Sequence, residues 1–370
     1  MSGHAAYMAT RQFGSLDGLR FLCITAVIWH HTPIWPDLTG ISVLFARGHT
    51  GVDFFFVLSG YLITTLLLRE EAAEGRFSLR GFYWRRALRI LPVYYLVVTL
   101  AAANAILRGG ASEYLEILPF YYLFLANFIY VEHIPFLDPT WSLAVEEQYY
   151  LIWPALLLLL PRRWIGPVLG LLIAVNVLAG AGVFNALGLS GFAAGPLYFA
   201  ISGATFAPIL MGSLAALVLH RPRGFALLAP VLGHRVAAPL CLAAVIAALA
   251  AFPGALEGWP NLAVHGAMTA TVIALVMRED NGLAPVLRLP PLVRIGQISY
   301  GIYLYHLFAH GIMLRLFEPL GLEGRWWLFL VAYYALTILI AEISFRTYEA
   351  WFMRLRHKPA RRVSTGGQTP

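Results

Sequence analysis

Arg20 and His31 stand eleven residues apart in an apolar run, "LRFLCITAVIWHHTP" (19–33). At about 100° per residue, a helix comes back to within about 20° over that spacing and rises about 16 Å. The two side chains therefore share one face at two depths, while His30 is rotated about 80° away. Ionisable groups inside an apolar span are costly and mark functional sites by default. A neutral imidazole can take a proton, and a carboxylate that fixes its tautomer makes it a general base. The plainer reading is a snorkelling Arg20 and a hydrogen-bonded structural His31.

Two carboxylates are candidate partners for His31, and the residues leave the choice open. Asp53 lies one turn into "GVDFFFVLSGYLIT" (51–64), on a face with Gly60 and Thr64, while Ser59 and Gly60 read as helix-packing residues. Glu146 lies in "WSLAVEEQYYLIWP" (141–154), on a face with Ser142, Tyr149 and Trp153 from which Glu147 is turned away. A third stripe, Ser299, Tyr303, His306 and His310, runs through "RIGQISYGIYLYHLFAHGIM" (294–313). Its hydroxyl and imidazole groups suit either donation to a developing oxyanion or the joining of helices. Arg86 and Arg89, in "FSLRGFYWRRALRILPVYY" (77–95), are neighbours on a helix. Guanidinium forks match phosphate oxygens, the alternative being contact with anionic lipid.

The elements that must hold these groups are apolar. The 370 residues are 59% hydrophobic and 12% charged, about half the charge of a soluble domain. The expectation is an all-α, polytopic transmembrane helical bundle of about ten spans: 17–35, 50–68, 90–107, 141–160, 165–184, 204–220, 236–252, 260–277, 296–316 and 326–348. An N-in, C-in arrangement puts twenty basic residues in inner segments against Arg47, Arg108, Arg315 and Arg325 outside. The same rule makes the short apolar stretch near 119–138 a re-entrant or interfacial segment. The arginines sit in turns between spans, which speaks against nucleic-acid binding. Cys23 and Cys241 fall within spans, so no disulfide framework is implied. A first helix acting as an uncleaved anchor is expected.

Taken together, "LDGLRFLCITAVIWHH", "GVDFFFVLSGYLI", "FYWRRALRILPVYY", "TWSLAVEEQYYLIWP" and "ISYGIYLYH" resemble, in order and spacing, the bacterial-type acyltransferase-3 family of integral membrane acyltransferases, also called O-antigen acetylase-like. The resemblance implies transfer of an acyl group, commonly acetyl, from acyl-CoA to a hydroxyl of a sugar, glycan or glycosylated natural product. It carries the family's Arg-x10-His onto Arg20 and His31, its Arg-x-x-Arg onto Arg86 and Arg89, and its Trp-Ser-Leu glutamate onto Glu146. Residues 1–15 are then a cytoplasmic segment, 16–350 the membrane acyltransferase domain, and 351–370 a basic, partly disordered cytoplasmic tail. A stand-alone acyltransferase of the cytoplasmic (inner) membrane is expected, with no hydrolase-like domain appended. Its partners are acyl-CoA, a carbohydrate acceptor and membrane lipids.

On this reading His31 is the catalytic base with Glu146 or Asp53 in support, and Arg20, Arg86 and Arg89 bind the donor. Ser142, Tyr149, Ser299, Tyr303 and His306 contact the oxyanion or acceptor. No metal and no permanently bound cofactor are expected, acyl-CoA being a substrate. The competing class is a proton-coupled transporter or lipid or glycan flippase that uses the same intramembrane groups. Acceptor identity, acyl length, oligomeric state and the choice between direct transfer and an acyl-enzyme are not set by the sequence.

Overall fold

A computed structural model describes residues 3–32, 42–109, 111–201, 206–252, 256, 258–322 and 325–355, those of 111–113 by backbone alone. The described residues are 79% helical with almost no sheet. In chain order the longer helices begin with α1 (Gly14–His30), α2 (Gly51–Glu74), α3 (Leu79–Leu107), α4 (Ala111–Tyr122), α5 (Thr140–Leu159) and α6 (Arg162–Gly180). An antiparallel hairpin follows, β1 (Gly191–Ala194) and β2 (Leu197–Ala200), with Gly191 opposite Ala200. Then come α7 (Ala207–His220), α8 (Pro222–Leu232), α9 (Ala237–Ala251), α10 (Gly258–Met277), α11 (Ser299–Phe317) and α12 (Trp326–Ser344). Most of the expected tail, 356–370, lies outside the described residues.

Among the described residues five helices are long and apolar enough to cross a membrane, around 48–74, 79–107, 162–180, 258–277 and 326–354. A sixth is reached if α7 and α8, bent by 108° at Arg221, make one broken span. Pro222, first residue of α8, lacks the N–H that would have continued α7, so the turn falls there. The remaining expected spans are helices of another character. α9 has only 15 residues, and α1 has 17 that include Arg20 and His30. α5 and α11 carry, respectively, the Glu146–Glu147 pair and a run of tyrosines and histidines. The helices that bring polar groups inward are thus the least like lipid-facing spans. Leu151, Leu227, Leu240 and Val331 nonetheless stand exposed on the surface, as lipid contact requires of an integral membrane protein.

Glycine allows a close helix-to-helix contact in the bundle. A Cβ on Gly60 would lie 1.9 Å from the Ile209 carbonyl oxygen, and one on Gly212 would lie 2.1 Å from that of Val57. α2 and α7 therefore touch backbone to backbone, as small residues allow. Between α4 and α5 the chain is irregular but inside, with Ala126, Ile134 and Leu137 buried. Phe124 and Phe136 take positive φ there, 55° and 71°. Side chains satisfy its carbonyls: Gln148 Nε2 donates to Phe124 at 2.8 Å, Tyr94 to Tyr121 at 2.8 Å and Tyr303 to Pro139 at 3.0 Å. Non-helical backbone in such a bundle is tolerable only with this kind of satisfaction. The hairpin is tied to the same segment through Tyr130 N–H to Pro196 O (3.3 Å) and Phe128 packed on Phe199.

Candidate active site

α1 presents its two ionisable residues in different settings. Arg20 is held by Asp17, one turn earlier, at 2.5 Å. His31 lies just past the last turn, where its Nδ1 is 2.9 Å from the Val27 carbonyl. A carbonyl only accepts, so Nδ1 carries the proton and Nε2 keeps its lone pair. His306 on α11 is oriented in the same manner, Nδ1 lying 2.5 Å from Tyr303 O, and its buried Nε2 has no hydrogen-bond partner among the described residues. The two imidazoles stand edge to face with ring centroids 4.8 Å apart. His30 turns away to the Ala46 carbonyl (2.9 Å) and is exposed, as its helical phase predicts.

A cavity of about 280 Å³ adjoins this pair through Tyr303, with neither imidazole in its lining. Arg20, Arg86 and Arg89 border it, together with Glu146, Ser142, Ser299 and Tyr303. Residues singled out from four separate stretches of sequence thus line one space. Arg86 lies over the Tyr150 ring at 4.7 Å. Glu146 accepts the hydroxyls of Ser59 and Tyr150. Ser142 Oγ and Tyr303 Oη are 2.7 Å apart and both reach Pro139 O, at 2.9 and 3.0 Å. Tyr303 in turn neighbours His306, ring centroids 5.6 Å apart. The order is arginines, glutamates, hydroxyl pair, imidazole pair.

Several expected placements are different. Asp53 meets His265 of α10, Oδ2 to Nε2 at 3.3 Å, and neither it nor Glu146 has a contact with His31 among the described residues. The reason is helical phase. Val52, Phe55, Phe56, Ser59, Leu62 and Leu66 form the cavity face of α2, whereas Asp53, Gly60 and Thr64 lie about 130° round from it. Ser59, read as packing, is on the cavity side. On α5 the cavity face is centred about 70° round from Ser142, so Glu147 and Tyr150 enter it. Tyr149 leaves it, bonding Ser213 at 2.5 Å and stacking on Trp153, whose Nε1 donates to Thr64 at 2.8 Å. A further carboxylate, Asp138, borders a second cavity from the irregular segment, where no periodicity could flag it. Asp17, three residues before Arg20, was visible as a helical neighbour. Among the described residues no cluster of His, Cys, Asp and Glu suits a metal ion.

Comparison with known proteins agrees with the motifs. The acyltransferase domain of the acyltransferase-3 family matches residues 13–345. The peptidoglycan O-acetyltransferase OatA of Listeria monocytogenes is 31% identical over 90% of this chain and 55% of its own length. YrhL of Bacillus subtilis, provisionally named for the same activity, is 29% identical over 92% of this chain and 54% of its own. A Staphylococcus aureus protein provisionally named an O-acetyltransferase is 29% identical over 95% and 59%. The chain thus spans little more than half the length of these relatives. No solved structure matches it.

Proposed function

The chain belongs to the acyltransferase-3 family and is an acyltransferase; from there we propose that it moves an acetyl group from acetyl-CoA to a carbohydrate hydroxyl. The observation that carries this reading is the single cavity with guanidinium groups at one end and the Ser142–Tyr303 hydroxyls, leading to His306 and His31, at the other. Arg20, Arg86 and Arg89 hold the CoA phosphates, and the pantetheine arm runs past Ser59 and Glu146. The thioester arrives at Ser142 and Tyr303, whose hydroxyls turn from Pro139 to its carbonyl oxygen as negative charge develops there.

His31 Nε2 takes the acceptor hydroxyl's proton while that oxygen adds to the thioester carbonyl carbon. The C–S bond then breaks, the ester C–O bond remains, and the imidazolium returns the proton to the CoA thiolate. His31 is suited to this because Val27 O occupies its other nitrogen. His306 and Ser299 border the reacting groups, and Glu146 is a structural acceptor within the donor channel. Asp53, bound to His265, supports the fold around α2.

The setting is a cytoplasmic membrane crossed ten times with both termini inside, for which the twenty-to-four imbalance of basic residues is the support. The Listeria relative is named for peptidoglycan, which makes a cell-wall glycan the first acceptor to try. Vesicles containing the protein, given radiolabelled acetyl-CoA and a glycan oligosaccharide, test the reading. Equal amounts of free thiol and alkali-labile acetyl on the glycan are expected. Movement of glycan across the membrane without thiol release would overturn it in favour of a transporter or flippase.

A further inference from the structure

A second cavity, of about 420 Å³, opens beside the first turn of α5 under the β1–β2 hairpin. Its volume lies within the about 300–1,000 Å³ typical of small-molecule sites. Resting on the acetyl-transfer reading above, the geometry points to this cleft as the carbohydrate acceptor site, with Trp141 and Tyr198 as stacking faces and Asp138 as the hydroxyl-binding carboxylate.

Two observations carry this. The first is the lining. Trp141 and Tyr198 supply aromatic faces, Asp138, Asn127 and His133 supply polar atoms, and no Lys or Arg takes part. A pyranose presents a C–H face to a ring and hydroxyls at its rim, so this mixture fits it, whereas a polyphosphate finds no cation. Asn127 is occupied with Gln148 (2.8 Å) and His133 Nδ1 with Tyr121 (3.0 Å). The exposed Asp138 carboxylate, by contrast, has no hydrogen bond among the described residues.

The second observation is adjacency. The cleft and the donor cavity are back to back across one wall: Trp141 borders the cleft, while the next residue, Ser142, borders the donor cavity. Phe56, which lines the donor cavity, meets Trp141 edge to face at 6.3 Å.

The full chain in vesicles tests this with a soluble N-acetylglucosamine–N-acetylmuramic acid oligosaccharide as probe acceptor and acetyl-CoA as donor. Trp141→Ala and Asp138→Asn should each raise the acceptor KM about tenfold or more. The acetyl-CoA dissociation constant of both should stay within about twofold. Trp141→Phe, which keeps an aromatic face, should hold acceptor KM within about threefold of wild type. Unchanged acceptor KM in Trp141→Ala and Asp138→Asn would overturn the assignment while leaving acetyl transfer intact. Parallel loss of acetyl-CoA binding would overturn it too, by showing that the wall merely holds the donor cavity together. A wild-type protein that binds acetyl-CoA but transfers no acetyl to the probe would instead count against the acetyl-transfer reading itself, and the acceptor assignment would fall with it.

Discussion

The inner cavity carries three guanidinium groups, two glutamates and five aromatic side chains, whereas the outer cleft carries one aspartate, no guanidinium and four aromatic side chains. Both are bounded by the first turn of α5, and each is supplied by a different kind of chain. Regular helices furnish the inner cavity, so its polar groups arrive at fixed helical phases from α1, α2, α3, α5 and α11. The irregular segment 123–139 and the hairpin furnish much of the outer cleft, where groups arrive singly and out of phase. Charge concentrated on rigid helices suits a polyanionic donor of constant shape. A loop-built aromatic cleft suits an acceptor that differs from one relative to the next. Under the proposed function, the contrast would divide recognition into a donor half and an acceptor half.

The sharpest way to break that division is Arg86→Ala. Loss of charge-assisted hydrogen bonds to phosphate should weaken acetyl-CoA binding about 10- to 100-fold and leave acceptor KM within about twofold. Titration of acetyl-CoA against the protein in nanodiscs reads the first number. An acceptor KM that moves as much as the donor affinity would mean that the two sites are one. Salt makes the same comparison more gently. Raising ionic strength from about 0.05 to 0.5 M should increase the donor KM about threefold and leave the acceptor KM unchanged, because only one site recognises charge. The smallest effect belongs to Tyr149→Phe. The buried bond to Ser213 is outside both cavities, so thermal unfolding should register a loss of about 0.6–1 kcal/mol while both KM values stay within about twofold.

Sequence reasoning reached the two regions unequally. Arg20 and His31 on one face, the Arg86–Arg89 pair, and Ser142, Glu146, Ser299 and Tyr303 around one cavity all follow from helical periodicity plus the family resemblance. Periodicity fixes which residues share a face but not where that face points. A rotation of about 70° on α5 therefore exchanged Tyr149 for Glu147 and Tyr150, and Asp53 went to His265 because the opposite side of α2 meets the cavity. Asp138 could not be found this way. It lies two residues after Phe136, whose positive φ of 71° belongs to an irregular chain that no hydrophobic period describes. The span count differs for a related reason. Polar residues that equip α5 and α11 for the interior also remove them from the helices apolar enough to be assigned to lipid, while α1, at 17 residues, falls short on length.

In the proposed reaction, acetyl passes from donor to acceptor at His31. The most direct measurement compares acetyl transfer by His31→Ala and His30→Ala, each checked for unaltered acetyl-CoA binding. Loss of general-base catalysis should cost His31→Ala about 10²- to 10⁴-fold in turnover, while His30→Ala, altered at a side chain bonded to Ala46 and turned to the surface, keeps its rate within a few-fold. Normal turnover in a well-folded His31→Ala protein, with loss in His30→Ala, would contradict the account.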